Sequence, residues 1–192
     1  MNMMTGGLRC LLAATVLLVF TGCASTMMVK TSVITAPPQD KAIVTFVRPT
    51  MFGGAIQFGI WDSDKFVGIL SAKSYVQYAA QPGEHVFLAR SENWSYVKAT
   101  LEAGKEYYVI GKVFPGVWKA RVALVPVRKA DLAKPGESEK VATWLQVLTP
   151  TAPMESKVED YAGPRLTQVR ESIEEFKKGK VNFSVLEAGD GR

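Results

Sequence analysis

The sequence predicts a mainly β protein: an antiparallel β-sandwich of about seven or eight strands followed by a helical C-terminal extension. Three observations predict it. Between Ala42 and Val127, about eight short runs rich in β-branched and aromatic residues follow one another, with turn residues every eight to twelve positions. Nothing with helical spacing interrupts them, which disfavours parallel βαβ units. Beyond Val127 the apolar residues change to the spacing of a helix face.

The chain opens with a polar stretch to Arg9 and an apolar or small run from Cys10 to Phe20. That run has the length of a signal-peptide core and is too short to span a bilayer. Thr21, Gly22 and Cys23 follow. Ser25 to Asp40 is polar and turn-rich and ends in Ala36-Pro37-Pro38-Gln39-Asp40; Met27, Met28, Val33 and Ile34 could pack locally or form a first short strand, but residues 23–40 are expected to form a tether.

Ala42–Arg48 is the first strand, stopped by Pro49. Ala55–Trp61 alternates, with Ile56, Phe58 and Ile60 on one face. Asp62-Ser63-Asp64-Lys65 is a hairpin turn, and Phe66–Leu70 returns. Tyr75–Ala80, His85–Ser91 (Val86 and Leu88 inward), Trp94–Leu101, Glu106–Val113 and Trp118–Val127 complete the series. Lys134-Pro135-Gly136 then breaks the chain, and Ser138 suits a helix N-cap. Val141, Trp144, Leu145 and Leu148 form one stripe, ended by Pro150 and Pro153. A second stripe runs from Val158 through Tyr161, Leu166, Val169 and Ile173 to Phe176, with a break or kink at Gly163-Pro164. Gly179 suits the C′ position. Val181–Leu186 reads as a short strand and Glu187–Arg192 as a loose end. The stripes need a cover, and packing on the sandwich is favoured over docking in a partner's groove.

The Val19-Phe20-Thr21-Gly22-Cys23-Ala24 stretch resembles the bacterial lipoprotein signal. The resemblance implies cleavage between Gly22 and Cys23 and a diacylglycerol on the Cys23 sulfur, usually with an acyl group on the new amine. Two or three buried chains anchor durably where one does not. Ala24 after the cysteine implies the outer rather than the inner membrane, and the domain is expected to face the periplasm. Gln81-Pro82-Gly83-Glu84-His85 and Leu101-Glu102-Ala103-Gly104-Lys105-Glu106-Tyr107-Tyr108-Val109 resemble the cadence of PEGA-like β domains. Lys41–Pro49 with Gly53-Gly54-Ala55 is similar to the start of an uncharacterised bacterial lipoprotein family of that fold. The resemblance covers about residues 41–128 and implies a prealbumin-like sandwich without an activity. Asp62-Ser63-Asp64 stands where such domains often have Asp-Gly, a change expected to lengthen that turn. The resulting division is signal 1–22, lipidated tether 23–40, β-sandwich 41–128 and helical extension 129–192.

Loss of residues 1–22 removes only Arg9 among the charges and takes the formal net charge from +5 to +4. No Lys/Arg-dense run marks a nucleic-acid partner. Cys10 leaves with the signal and Cys23 is acylated, so no thiol remains for a disulfide, a metal site or a nucleophile. No catalytic set, metal site or cofactor is expected. The lone His85 reads as structural, and Asp62 and Asp64 as a solvated hairpin tip. Asn93-Trp94-Ser95 matches a glycosylation pattern by chance. The remaining candidates are Trp61, Trp94, Tyr96 and Trp118 with Lys98, Lys119 and Arg121. An aromatic and basic face of this kind suits a glycan or lipopolysaccharide. The same rings also suit sheet edges and the docking of the tail, which is the favoured reading. The expected function is a non-catalytic envelope lipoprotein, an interaction or assembly module. Its partners are membrane lipid through acylated Cys23 and an envelope protein or glycan; glycan binding is the alternative reading.

Overall fold

The computed structural model describes residues 27–117 and 120–192. Gly22 and Cys23, the expected cleavage and acylation positions, lie outside the described residues, as do Trp118 and Lys119. In chain order the strands are β1 (Met28–Lys30), β2 (Ala42–Arg48), β3 (Phe58–Asp62), β4 (Lys65–Leu70), β5 (Ser74–Ala80) and β6 (Gly83–Arg90). They continue with β7 (Trp94–Leu101), β8 (Glu106–Phe114), β9 (Arg121–Pro126), β10 (Thr149–Pro153) and β11 (Ser184–Leu186). The helices are α1 (Lys129–Leu132), α2 (Glu137–Val147), α3 (Glu155–Ala162) and α4 (Leu166–Lys177).

The strands form a β-sandwich. One sheet has six strands in the order β1-β10-β5-β2-β8-β9, and the other has five in the order β11-β7-β6-β3-β4. Phe46, Phe58, Phe87, Leu70, Tyr107, Val109 and Leu124 meet between them, with Phe46 set edge-on to Phe87 at 5.1 Å. Each sheet also carries helices on its outer face. Helix α2 lays Val141 and Trp144 on Val47, Tyr75 and Tyr108 of the six-stranded sheet. Helices α3 and α4 lay Ala162, Val169 and Ile173 on Trp61, Phe66, Ile69, Leu88 and Tyr96 of the five-stranded sheet. Strands covered on both faces lose the polar side of an amphipathic pattern. β2 accordingly buries all seven residues. In β6, Phe87 and Ala89 face the other sheet, whereas Val86 and Leu88, expected to point inward, face the helices.

The sheets are mixed rather than wholly antiparallel. β2 runs parallel to β8, β10 to β5 and β11 to β7. Residues 129–192, expected as a helical extension, therefore also place a strand in each sheet. β10 contains Pro150 and Pro153, which end α2 as expected and yet sit inside a sheet. Prolines are tolerated here because neighbouring groups make the bonds: Thr31 N–H donates to the Pro150 carbonyl, and Met154 N–H to Met27 O at 2.7 Å. The tether is shorter than expected, since Met28–Lys30 already pairs with β10, and Gln77 brackets Ile34 with two side-chain hydrogen bonds. The Ser63-Asp64 turn is not lengthened: Asp62 pairs directly with Lys65, and Ser63 takes φ 50° to close it. Helix α2 begins one residue before Ser138, with Gly136 as N-cap at φ 79°. Gly163 and Pro164 make a 3₁₀ turn between α3 and α4. The expected loose end is tied: Arg192 and Glu106 exchange backbone hydrogen bonds, and Arg192 donates to Tyr108 Oη at 2.6 Å.

Two side-chain devices hold the ends of strands. The Asn93 amide accepts from Val122 N–H at 2.8 Å and donates to Val122 O at 2.9 Å, while Leu124 N–H donates to Ser95 Oγ. Asn93 and Ser95 thus pair one edge of β9 in place of a neighbouring strand. Arg48, fully buried at the end of β2, donates to the carbonyls of Phe52, Gly53 and Ile56 and gathers the 49–56 loop around its guanidinium.

Candidate functional site

The Gly163-Pro164 break turns α3 into α4, and both helices lie across β3, β6 and β7. Their apolar residues bury against the sheet, and a cavity of about 400 Å³ remains where the first turn of α4 passes the end of β6. Trp61, Gly59 and Gln57 line it from β3 and its approach. Arg90, Ser91 and Trp94 come from the β6–β7 hairpin, and Tyr161, Arg165, Gln168 and Val169 from the helices. Its size is in the range of small-ligand sites.

Gly59 sets the floor. A side-chain carbon there would lie 2.9 Å from Tyr161 Oη, so only glycine lets the Tyr161 ring sit this close over β3. Phe66 packs beside Tyr161 at 4.9 Å and edge-on to Trp61 at 5.2 Å. Burial raises the Tyr161 phenol above its ordinary value, so it stays protonated and able to donate. Arg165 lies over the Tyr161 ring, 3.9 Å from its centroid, and donates to Tyr161 O. Arg90 lies over Trp94 at 5.2 Å and donates to Gln168 Oε1. Each wall therefore carries an arginine laid on a ring.

Of the residues expected to form an aromatic and basic face, the fold brings Trp61 and Trp94 together in this cavity. Trp61 is only 2 % exposed and shows an edge. Tyr96 stacks on Trp94, centroids 6.4 Å apart, but does not line the cavity: it is covered by α4, with its hydroxyl 2.7 Å from Ser172 Oγ and its ring stacked on Phe176. Lys98 lies in a separate groove by His85 and Phe176 and pairs with Glu84 at 3.3 Å. Arg121 is exposed at the start of β9, on the other sheet. Sequence reasoning missed Arg90, Arg165, Gln168 and Tyr161, because only the docking of α3 and α4 brings them to Trp94. Gly59 inside an alternating strand was the available signal of a close approach.

His85 has a structural setting. Nδ1 lies 2.8 Å from Asp62 Oδ2 and Nε2 lies 2.7 Å from Gln81 O, and the ring stacks on Phe87. Both partners are acceptors, so both ring nitrogens donate and the imidazolium fits best. The Asp62 hydrogen bond raises the His85 pKa above 6.5, against the opposing effect of burial. Tyr78 Oη also donates to Asp62, which raises the Tyr78 phenol further beyond the effect of its burial, and Lys65 Nζ sits 5.1 Å from the Tyr78 ring. Glu84, Lys98 and Lys177 flank the adjoining groove. Asp64 pairs with Arg170 on α4 at 3.1 Å. Because the folded pKa of His85 is raised, its stabilisation is complete below the unfolded value and is lost as pH rises through the folded one. In thermal melts, wild type should exceed His85→Gln most at pH 5–6, and the gap should shrink on the alkaline side. A gap that widens with pH would reverse this assignment.

No helix among the described residues is long and apolar enough to cross a membrane. No family model, curated protein or solved structure matches this chain.

Proposed function

We propose that this chain is a non-catalytic lipoprotein of the bacterial outer membrane, anchored through acylated Cys23, whose domain faces the periplasm and binds an envelope glycan. The observation that supports glycan binding most is the cavity that joins Trp61, Trp94 and Tyr161 to amide and guanidinium groups. Guanidinium and amide donors beside the ring edges suit the hydroxyls and charged groups of a sugar. His85, the single histidine, spends both ring nitrogens on Asp62 and Gln81, which suits a structural role better than that of a base. Of the two readings, an interaction or assembly module and a glycan binder, the cavity favours the glycan binder.

The sheet begins at Met28, so the anchor is short. From Cys23 to Met27 the chain reaches at most about 14 Å at full extension. The domain would then sit beside the lipid headgroups, not at the end of a long tether.

Cell fractionation tests the anchor: Cys23→Ala should leave the outer-membrane fraction, and a variant that still partitions wholly there contradicts it. Pull-down on peptidoglycan and a glycan array tests the site. Retention should fall on Trp94→Ala, and retention unchanged by that substitution contradicts the assignment.

A further inference from the structure

The cavity between the five-stranded sheet and α3/α4 is one-sided in charge. Elsewhere on the helices, cations meet carboxylates: Lys140 pairs with Glu137, Lys157 with Asp160, Lys177 with Glu174 and Arg170 with Asp64. Among the described residues, Arg90 and Arg165 form no ion pair, and no Asp or Glu lines the cavity they share. Two guanidinium groups in one recess without a counter-charge raise its potential and attract an anion.

Their geometry is that of fixed donors. Arg90 lies over Trp94 and is tied to Gln168, and Arg165 lies over Tyr161 and is tied to its carbonyl. An arginine laid on a ring has already lost much of its rotamer freedom, so its remaining N–H groups cost less to order when a ligand arrives. A planar guanidinium fork matches a carboxylate or a phosphate.

We infer that the cavity takes an acidic saccharide, a sugar carrying a carboxylate or phosphate, with Arg90 and Arg165 on the anionic group and Gln57, Ser91 and Gln168 toward the sugar hydroxyls. The inference rests on the glycan-binding reading and narrows it to charged sugars. Each arginine contributes charge-assisted hydrogen bonds, so removing one should weaken binding about tenfold or more. Binding should also weaken as salt is raised.

The test uses the full chain in detergent on an array of carboxylated, phosphorylated and neutral oligosaccharides of matched backbone. The expected result is retention of at least one acidic class over its neutral counterpart, reduced about tenfold by Arg90→Gln and by Arg165→Gln. Arg121→Gln, a basic residue on the other sheet, should leave retention unchanged. Equal retention of acidic and neutral sugars overturns the inference and leaves the glycan reading standing. An absence of retention on every sugar overturns both. Acidic retention that all three arginine variants weaken alike overturns the site and reduces the effect to net charge.

Discussion

Replacing Arg48 with alanine should cost about 2–4 kcal/mol, a large part of the total stability of an ordinary domain. Arg48 is 0 % exposed, and three loop carbonyls converge on its guanidinium. Gly53 O keeps a second donor, Ile56 N–H at 2.8 Å, but Phe52 O and the half-buried Ile56 O would lose their side-chain donor. Burial already pulls the guanidinium below its ordinary pKa, so the charge is held only because those carbonyls solvate it. Lysine should not rescue it, since one ammonium cannot span what a planar fork spans. The 49–56 loop feeds directly into Gln57 and Gly59, so the same substitution should loosen the floor of the cavity. Urea unfolding of Arg48→Ala, Arg48→Lys and wild type checks this. A midpoint for Arg48→Ala within experimental error of wild type would contradict the account of the loop.

Deleting residues 154–192 should abolish the folded domain. The deletion uncovers Trp61, Phe66, Ile69, Leu88 and Tyr96 on the outer face of the five-stranded sheet. It also removes Leu186, which is fully buried in the core between the sheets. Burying one large apolar side chain contributes about 1.5–3 kcal/mol, so losing the cover of five approaches the whole stability of a domain. The truncated chain should be insoluble, or should lose the dispersed amide spectrum of wild type. A soluble, well-dispersed truncation would mean that the sandwich folds without its tail and that the α3/α4 layer is an accessory.

What the sequence made legible follows from where each element is exposed. β2 and β7 were read to their end residues, because Pro49 stops the β-branched run of β2 and turn residues at Glu92-Asn93 and Glu102-Ala103-Gly104 bound β7. The helical stripes were also legible, since Val141, Trp144, Val169 and Ile173 keep one face apolar. Alternation in β6 gave the strand but not the direction of its faces, because both sides of that sheet are covered and an apolar residue is buried either way. β10 was hidden by its prolines, and the three residues of β1 left a short strand there second to a tether. The cavity was legible only in part. Trp61 and Trp94 were visible as rings on strands, but the charges that define the site come from a hairpin tip and a helix start brought together by long-range packing. Tyr96 and Lys98 follow Trp94 along the same face of β7, but α4 covers Tyr96 and Lys98 lies in another groove, so neither lines the cavity.

The central claim, that the cavity beneath α3 and α4 is the binding site, is tested most directly by the indole N–H signals of the tryptophans. Trp61 and Trp94 line the cavity, whereas Trp144 lies under α2 on the opposite sheet. On titration of the full chain with the acidic saccharide best retained on the array, the Trp61 and Trp94 signals should shift together, and Trp144 should stay in place. Saturable binding that moves Trp144 while leaving Trp61 and Trp94 unmoved would contradict the account.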